Sequence, residues 1–102
     1  MIIVNGTVRF GAGEIERLKG AMARNVEATR AEQGCEHYSY AVDLVEPDLL
    51  HVSERWSDEA AIERHMASPH MGAFMAQVRA SNVEAMSIKA YEATFLRNVL
   101  GE

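Results

Sequence analysis

The sequence predicts an α+β fold in which a four-stranded antiparallel sheet carries helices on one face. The chain has 102 residues, of which 48% are hydrophobic and 25% are charged, the balance of one globular domain. Segments of strand and helix periodicity follow one another as strand, helix, strand, strand, helices, strand. That order is the split β-α-β arrangement of a ferredoxin-like sandwich, so we expect one such domain over residues 1–102.

The first third of the chain predicts a strand followed by a helix. Residues 2–10 are rich in β-branched side chains and end at the turn sequence Gly11-Ala12-Gly13. From Glu14 to Glu32 the apolar residues recur at helical spacing, and Gly34 is the expected stop signal. The apolar residues of this helical stripe are Ile15, Leu18, Met22 and Val26.

The middle of the chain predicts a hairpin. Cys35 to Val45 has the composition of a strand, Glu46-Pro47-Asp48 is a turn sequence, and Leu49 to Trp56 returns as a third strand. Alternation along the third strand places Glu54 and Trp56 on the same face.

Two short helices and a last strand complete the predicted order. Ser57 or Asp58 caps a helix that runs through Met66, and Ser68-Pro69 begins the next, with serine at the cap and proline at the first helical position. Val83 to Thr94 is the fourth strand, and Phe95 to Leu100 is an apolar tail.

Apolar side chains on both faces of the first strand predict a homodimer. Helices cover only one face of a four-stranded sheet, so either Val4 or Ile3 needs cover from elsewhere. A second subunit that stacks sheet against sheet would supply it. We expect the tail from Phe95 to Leu100 to pack at this dimer interface.

Charge and targeting signals exclude several classes of function. The net charge of −5 and the absence of a basic cluster argue against nucleic-acid binding. The first residues lack the features of a signal peptide, and no apolar run approaches the roughly 20 residues that a membrane span needs. The single Cys35 cannot form an internal disulfide, so we expect a cytoplasmic protein.

The sequence also argues against a bound nucleotide, metal or cysteine nucleophile. The glycine pattern after the first strand fails as a dinucleotide fingerprint at Glu16. His65 and His70 are five apart across a helix break and do not share a helical face, so no metal site is expected. Glu32 and Glu36 surround Cys35 with negative charge, which favours a small buried hydrophobe there.

One ordered set of residues points to a family. The set runs Glu32-x-Gly34-Cys35-x-x-Tyr38, Asp43, Pro47, Glu54-x-Trp56-Ser57, His65 and Ser68-x-His70. It is similar to the antibiotic biosynthesis monooxygenase superfamily and, within it, to the small quinol monooxygenases. The resemblance implies a dimeric α+β barrel with a pocket between sheet and helices in each subunit. It also implies a small aromatic substrate oxidised by molecular oxygen, with no flavin, haem or metal cofactor.

Two residues are the candidate proton-transfer groups for such a reaction. His65 follows Ile62 by three, which brings it near the inner face of its helix, and an imidazole suits a base at neutral pH. If Trp56 points into the pocket, Glu54 lies on the same side, where burial would make its carboxylate a base near neutral pH. Trp56 is expected to form one wall of the pocket.

Asn5, Met71 and Phe74 are the other candidate substrate-binding residues. Asn5 is a polar amide in the middle of an apolar strand, and it resembles a pocket asparagine of haem-degrading relatives. His65 and Met75 stand where those relatives need a tryptophan and a histidine, so haem degradation is not expected. Met71 and Phe74 share a helix face that either lines the pocket or fills the core.

Two other functions are compatible with the same residues. His65 and Glu54 would equally serve a proton-transfer isomerase or lyase of the same fold. The chain could also be a ligand-binding dimer without turnover.

Overall fold

A computed structural model describes all 102 residues and confirms the predicted α+β fold. The four strands form one antiparallel sheet with the order β2-β3-β1-β4. None of the helices combines the length and hydropathy that a membrane span requires. The elements are β1 (Ile2–Phe10), α1 (Glu14–Arg30), β2 (Cys35–Val42), β3 (Leu49–Trp56), α2 (Glu59–Met66), α3 (Pro69–Arg79) and β4 (Val83–Glu92).

β1 occupies the centre of the sheet, between β3 and β4. Gly6 lies opposite Val52 on one side and Ile88 on the other. A Cβ atom at Gly6 would collide with the carbonyl oxygen of Ser87. The first strand therefore approaches the last one as closely as it does because residue 6 has no side chain.

The hairpin strand β2 ends at Val42, three residues before the predicted end at Val45. The Asp43 carboxylate accepts hydrogen bonds from the backbone N–H groups of Val45 and Glu46, at 3.0 and 2.9 Å. This side-chain turn satisfies backbone donors that would otherwise extend the strand. His51 on β3 also contacts Asp43, at 2.8 Å.

The helix and strand ends are set by local hydrogen bonds. Asp58, one of the two predicted caps, accepts from the backbone of Ala61 at 2.8 Å, and Ser68 caps α3. α1 ends at Arg30 rather than Glu32 because the chain turns through Gly34, which has a φ of 87°.

The two faces of the sheet differ in chemistry. The helices pack on the face that carries Val4, Val8 and Val52, which we call the covered face. The opposite, open face carries Ile3, one of the two residues for which the sequence predicted a need for cover, but it is otherwise mostly polar. Its side chains on the two central strands and β4 include Asn5, Thr7, His51, Ser53, Ser87 and Lys89.

Helix cover stops short of β4. Nearly every residue of this strand is exposed, including Met86 at 49% and Ile88 at 40% on the covered face. The C-terminal tail, residues 93–102, continues from β4 with exposed apolar side chains. In the tail these are Phe95, Leu96, Val99 and Leu100.

Candidate active site

An apolar cavity of about 250 Å³ lies between the covered face of the sheet and helices α2 and α3. Fifteen of its seventeen lining residues are hydrophobic, and the two exceptions are Glu54 and His65. An apolar cavity of about 150 Å³ is enough to bind benzene. The cavity therefore suits a molecule of one or two aromatic rings with few polar groups, because its lining offers few hydrogen-bond partners.

Glu54 lies on β3, where every second side chain points to the covered face of the sheet. Its own side chain is one of these, and it faces the cavity. Its Oε1 atom accepts the indole N–H of Trp56 at 2.8 Å. Burial raises the pKa of the Glu54 carboxyl above its ordinary value, while the Trp56 hydrogen bond and nearby His65 oppose that rise. The Glu54 carboxyl is thus an ionisable group in an apolar setting.

His65 is buried in the last turn of α2, with 1% of its surface exposed. Its Nδ1 atom lies 2.7 Å from Oε2 of Glu32, and its Nε2 atom is buried with no hydrogen-bond partner. A carboxylate at Nδ1 favours the tautomer with the proton there, which leaves the lone pair on Nε2. His65 lines the cavity, and Nε2 is the ring nitrogen that no protein group engages.

Glu32 is a candidate site residue that the sequence did not single out for this site. It lies in the turn after α1 and contacts both His65 and Nε2 of His70, the latter at 3.3 Å. Thr29 and Ser68 hydroxyls stand 3.4 and 3.3 Å from the same His70 nitrogen. The presence of Glu32 in the family-like residue set was the only sequence signal for it.

His65 and His70 lie on two different helices, as expected, but their ring centroids are only 6.1 Å apart. Donor atoms of Glu32, His65 and His70 all lie within 4.8 Å of one another, so these are the residues that could hold a metal ion. Two ligands of one tetrahedral zinc ion are separated by roughly 3.3 Å, given bonds of about 2.0 to 2.1 Å. The 2.7 Å between Glu32 and His65 is instead a hydrogen-bond distance.

Two tyrosines of β2 add a buried hydroxyl pair to the cavity wall. Tyr38 and Tyr40 alternate onto the covered face, and their hydroxyl oxygens are 2.7 Å apart. The amide of Asn25, on α1, donates to the Tyr40 hydroxyl at 2.9 Å. Burial raises the pKa of both tyrosines, so both hydroxyls keep their protons at neutral pH.

The remaining predicted site residues divide into those at the cavity and those away from it. Met71 and Phe74 line the cavity and also belong to the main core cluster, while their role in substrate binding stays a prediction. Trp56 is fully buried and is not a lining residue, so it does not form the predicted wall. It instead contacts Glu54 through its indole N–H and lies 4.9 Å, centroid to centroid, from the His65 ring. Asn5 is exposed on the open face, opposite Ser53, so the structure does not bring it to this site.

Cys35 lies outside the cavity, in the first residue of β2. Burial and the nearby Glu32 carboxylate raise the pKa of its thiol. The side chain is only partly buried, against the cluster that contains Trp56, where the sequence predicted a buried hydrophobe.

Comparison with known proteins gives a consistent family. The profile of the family described as antibiotic biosynthesis monooxygenase matches residues 1–77. A crystal structure from Deinococcus radiodurans, named for the same family, has 31% sequence identity and a TM-score of 0.90, and the match covers 99% of this chain and 100% of that one.

Two curated relatives are more distant in sequence. The protein named probable quinol monooxygenase YgiN of Escherichia coli is 28% identical over 94 residues, which covers 82% of this chain and 90% of the relative. An uncharacterized protein of Synechocystis is 25% identical over 91 residues, or 89% of this chain. The chain spans 62% of the length of that second relative.

Proposed function

The chain belongs to the antibiotic biosynthesis monooxygenase family, and from that premise we propose that it oxidises a small quinol or polyphenol with molecular oxygen. The name of the Escherichia coli relative supports the quinol as substrate. The proposed reaction uses no flavin, haem or metal, because the electron-rich substrate is itself the reductant.

One observation carries the proposal: an imidazole with a free Nε2 lone pair faces an apolar cavity while Glu32 holds its other nitrogen. His65 would take the proton of a substrate hydroxyl onto Nε2. The Glu32 carboxylate stabilises the imidazolium that forms. The substrate anion left behind is a far better electron donor to oxygen than the neutral quinol.

The reaction balances without an external reductant. A quinol and O2 give a hydroxylated quinone and water, so a new C–O bond forms and the O–O bond breaks. All the electrons that O2 accepts come from the substrate. The proton first held by His65 returns to the oxygen atom that leaves as water. The apolar lining excludes bulk water from the substrate anion during these steps.

Glu54 is the second proton-transfer group of the proposal. Its carboxyl faces the same cavity, and burial raises its pKa toward neutral pH. In the oxidation it would exchange a proton with a second substrate oxygen. Two acid–base groups on one cavity also favour a second function, a proton-transfer isomerase or lyase that needs no oxygen.

A homodimer is part of the proposal. Exposed apolar side chains run from β4 into the C-terminal tail, with Met86 and Ile88 beside the cavity opening and Phe95, Leu96 and Leu100 beyond them. Exposed apolar side chains concentrated in one stretch of the chain are typical of protein interfaces. The support for the dimer thus comes from β4 and the tail rather than from the open face.

Oxygen uptake by metal-stripped protein is the experiment that tests this function. We expect saturable uptake with naphthoquinols or catechols, above their spontaneous autoxidation, and a loss of roughly 100-fold or more in turnover for His65→Ala. Turnover of a substrate without oxygen would favour the isomerase or lyase. Uptake that is identical in the His65→Ala protein would remove His65 from the mechanism.

A further inference from the structure

We propose that the Tyr38 hydroxyl is a hydrogen-bond donor to the anionic oxygen of the ligand, and that Asn25 and Tyr40 orient it for that purpose. The inference rests on the proposed function for the nature of the ligand, an aromatic hydroxyl compound that loses its proton. It assigns a binding role to three residues on two elements, α1 and β2.

The count of protons in this cluster leaves one hydroxyl hydrogen without an acceptor. The Asn25 amide nitrogen donates to Tyr40, and the two tyrosine oxygens share a single hydrogen bond of 2.7 Å. That bond uses one phenolic hydrogen, and the second has no partner in the protein. Asn25 Oδ1, an acceptor, has no partner either, so it does not take up the second hydrogen.

The Asn25 amide sets the first hydrogen bond of the chain, which it donates to Tyr40. If its amide were reversed, the oxygen would accept from Tyr40, but an NH2 group would then be buried without an acceptor. A buried N–H without a partner is rarer and less favourable than a buried carbonyl oxygen in that condition. The Tyr40 oxygen has two lone pairs, so its bond with Tyr38 could run either way. The order Asn25 to Tyr40 and Tyr40 to Tyr38 is the one that frees the hydrogen of the tyrosine whose ring lies beside His65, and it is the order of this proposal.

The location of Tyr38 fits a donor to a substrate anion. Its side chain is 2% exposed, it lines the cavity, and its ring centroid is 5.2 Å from that of His65, the proposed base. Burial raises the pKa of Tyr38, which keeps it a donor, and each preceding donor in the chain strengthens the next. Proton transfer to His65 leaves the electron pair on a ligand oxygen, where such a donor stabilises it most.

Two small probes separate this role from simple packing. The first is 4-nitrophenol, whose absorbance distinguishes phenol from phenolate, and the second is nitrobenzene, which has the same ring without the hydroxyl. The binding of each is measured in the intact protein without oxygen. We expect the unsubstituted protein to bind 4-nitrophenol as its phenolate at a pH below the probe's pKa in solution.

The expected effects of substitution follow from the direction of the chain. Tyr38→Phe weakens 4-nitrophenol binding roughly 10- to 100-fold, the effect of losing a hydrogen bond to a charged group, and shifts the bound probe toward its neutral form. Tyr40→Phe has a smaller effect in the same direction. Nitrobenzene binding changes little in either variant, and Tyr91→Phe, on the exposed part of β4, changes neither probe.

Three results would overturn the inference. They are unchanged 4-nitrophenol binding in Tyr38→Phe, an equal loss of both probes, and no binding of the phenolate by the unsubstituted protein. Because the titration involves no oxygen, its outcome is independent of oxygen uptake. Phenolate binding without uptake would contradict the proposed oxidation alone, and uptake without a Tyr38 effect would contradict this inference alone.

Discussion

Glu32→Gln is the sharpest test of the contact between Glu32 and His65. The substitution keeps the size of the side chain and an oxygen that can accept from Nδ1 of His65, now at 2.7 Å from the carboxylate. It removes the negative charge. We therefore expect the protein to fold and bind substrate while the proton transfer to His65 becomes slower.

The magnitude follows from the burial of the pair. The His65 side chain is 2% exposed and that of Glu32 is 18% exposed, so water screens their interaction poorly. A hydrogen bond to a charged group contributes about 1.5–3 kcal/mol, against about 0.5–1.5 kcal/mol for a neutral one. The loss of about 1–2 kcal/mol in the transition state, where His65 is an imidazolium, slows turnover roughly 5- to 30-fold.

The assay is steady-state oxygen uptake with the quinol that the unsubstituted protein oxidises best. We expect kcat to fall and KM to change little, since the charge acts on the transition state. Glu36→Gln is the matched control, because Glu36 pairs with Arg55 on the surface, where such pairs contribute little. A kcat for Glu32→Gln within twofold of the unsubstituted protein, or an equal loss in both variants, would refute the reasoning.

Three further predictions concern stability and assembly. Because burial raises the pKa of Glu54 above 4.5, the folded state binds that proton more tightly than the unfolded state, and stability falls as pH rises through this range. In urea unfolding, Glu54→Gln should then be more stable than the unsubstituted protein at pH 7 and equal to it at pH 4; lower stability at pH 7 would contradict this. Trp56→Phe leaves Glu54 without its donor and opens a space in the core, so the same assay should show a loss of about 2–4 kcal/mol, and a loss below 1 kcal/mol would count against the contact. Truncation after Thr94 removes the apolar tail and should shift sedimentation from dimer to monomer, whereas an unchanged dimer would place the interface elsewhere.

The parts of the fold that local signals determine could be predicted from the sequence. Asp58 and Ser68 are caps because their side chains reach backbone N–H groups three residues later, which the sequence order already contains. Alternation along β3 correctly placed Glu54 and Trp56 on one face. The predicted ends of β2 and β4 were too late, at Val45 and Thr94 instead of Val42 and Glu92. A strand ends where a turn begins or its partner strand ends, and composition alone does not show that point.

The parts of the site that depend on distant residues could not be predicted. Glu32 and His65 are 33 residues apart, and only the docking of α2 beside the turn after α1 brings them together. His70 joins them because it lies on a new helix, α3, which begins at Pro69. The spacing of residues within one helix cannot predict how two helices are placed. Asn5 was assigned to the pocket from its polarity, but strand register places it opposite Ser53 on the open face.

The central position of β1 has a consequence for how the protein is made. Ribosomes release the amino end first, and β1 must wait for its neighbour β4, which ends at Glu92, before the sheet is complete. The cavity takes Val4 and Val8 from one end of the chain and Met86 and Ile88 from the other. A nascent chain therefore has no finished binding site until β4 has been synthesised, and a product terminated before β4 lacks part of the cavity wall.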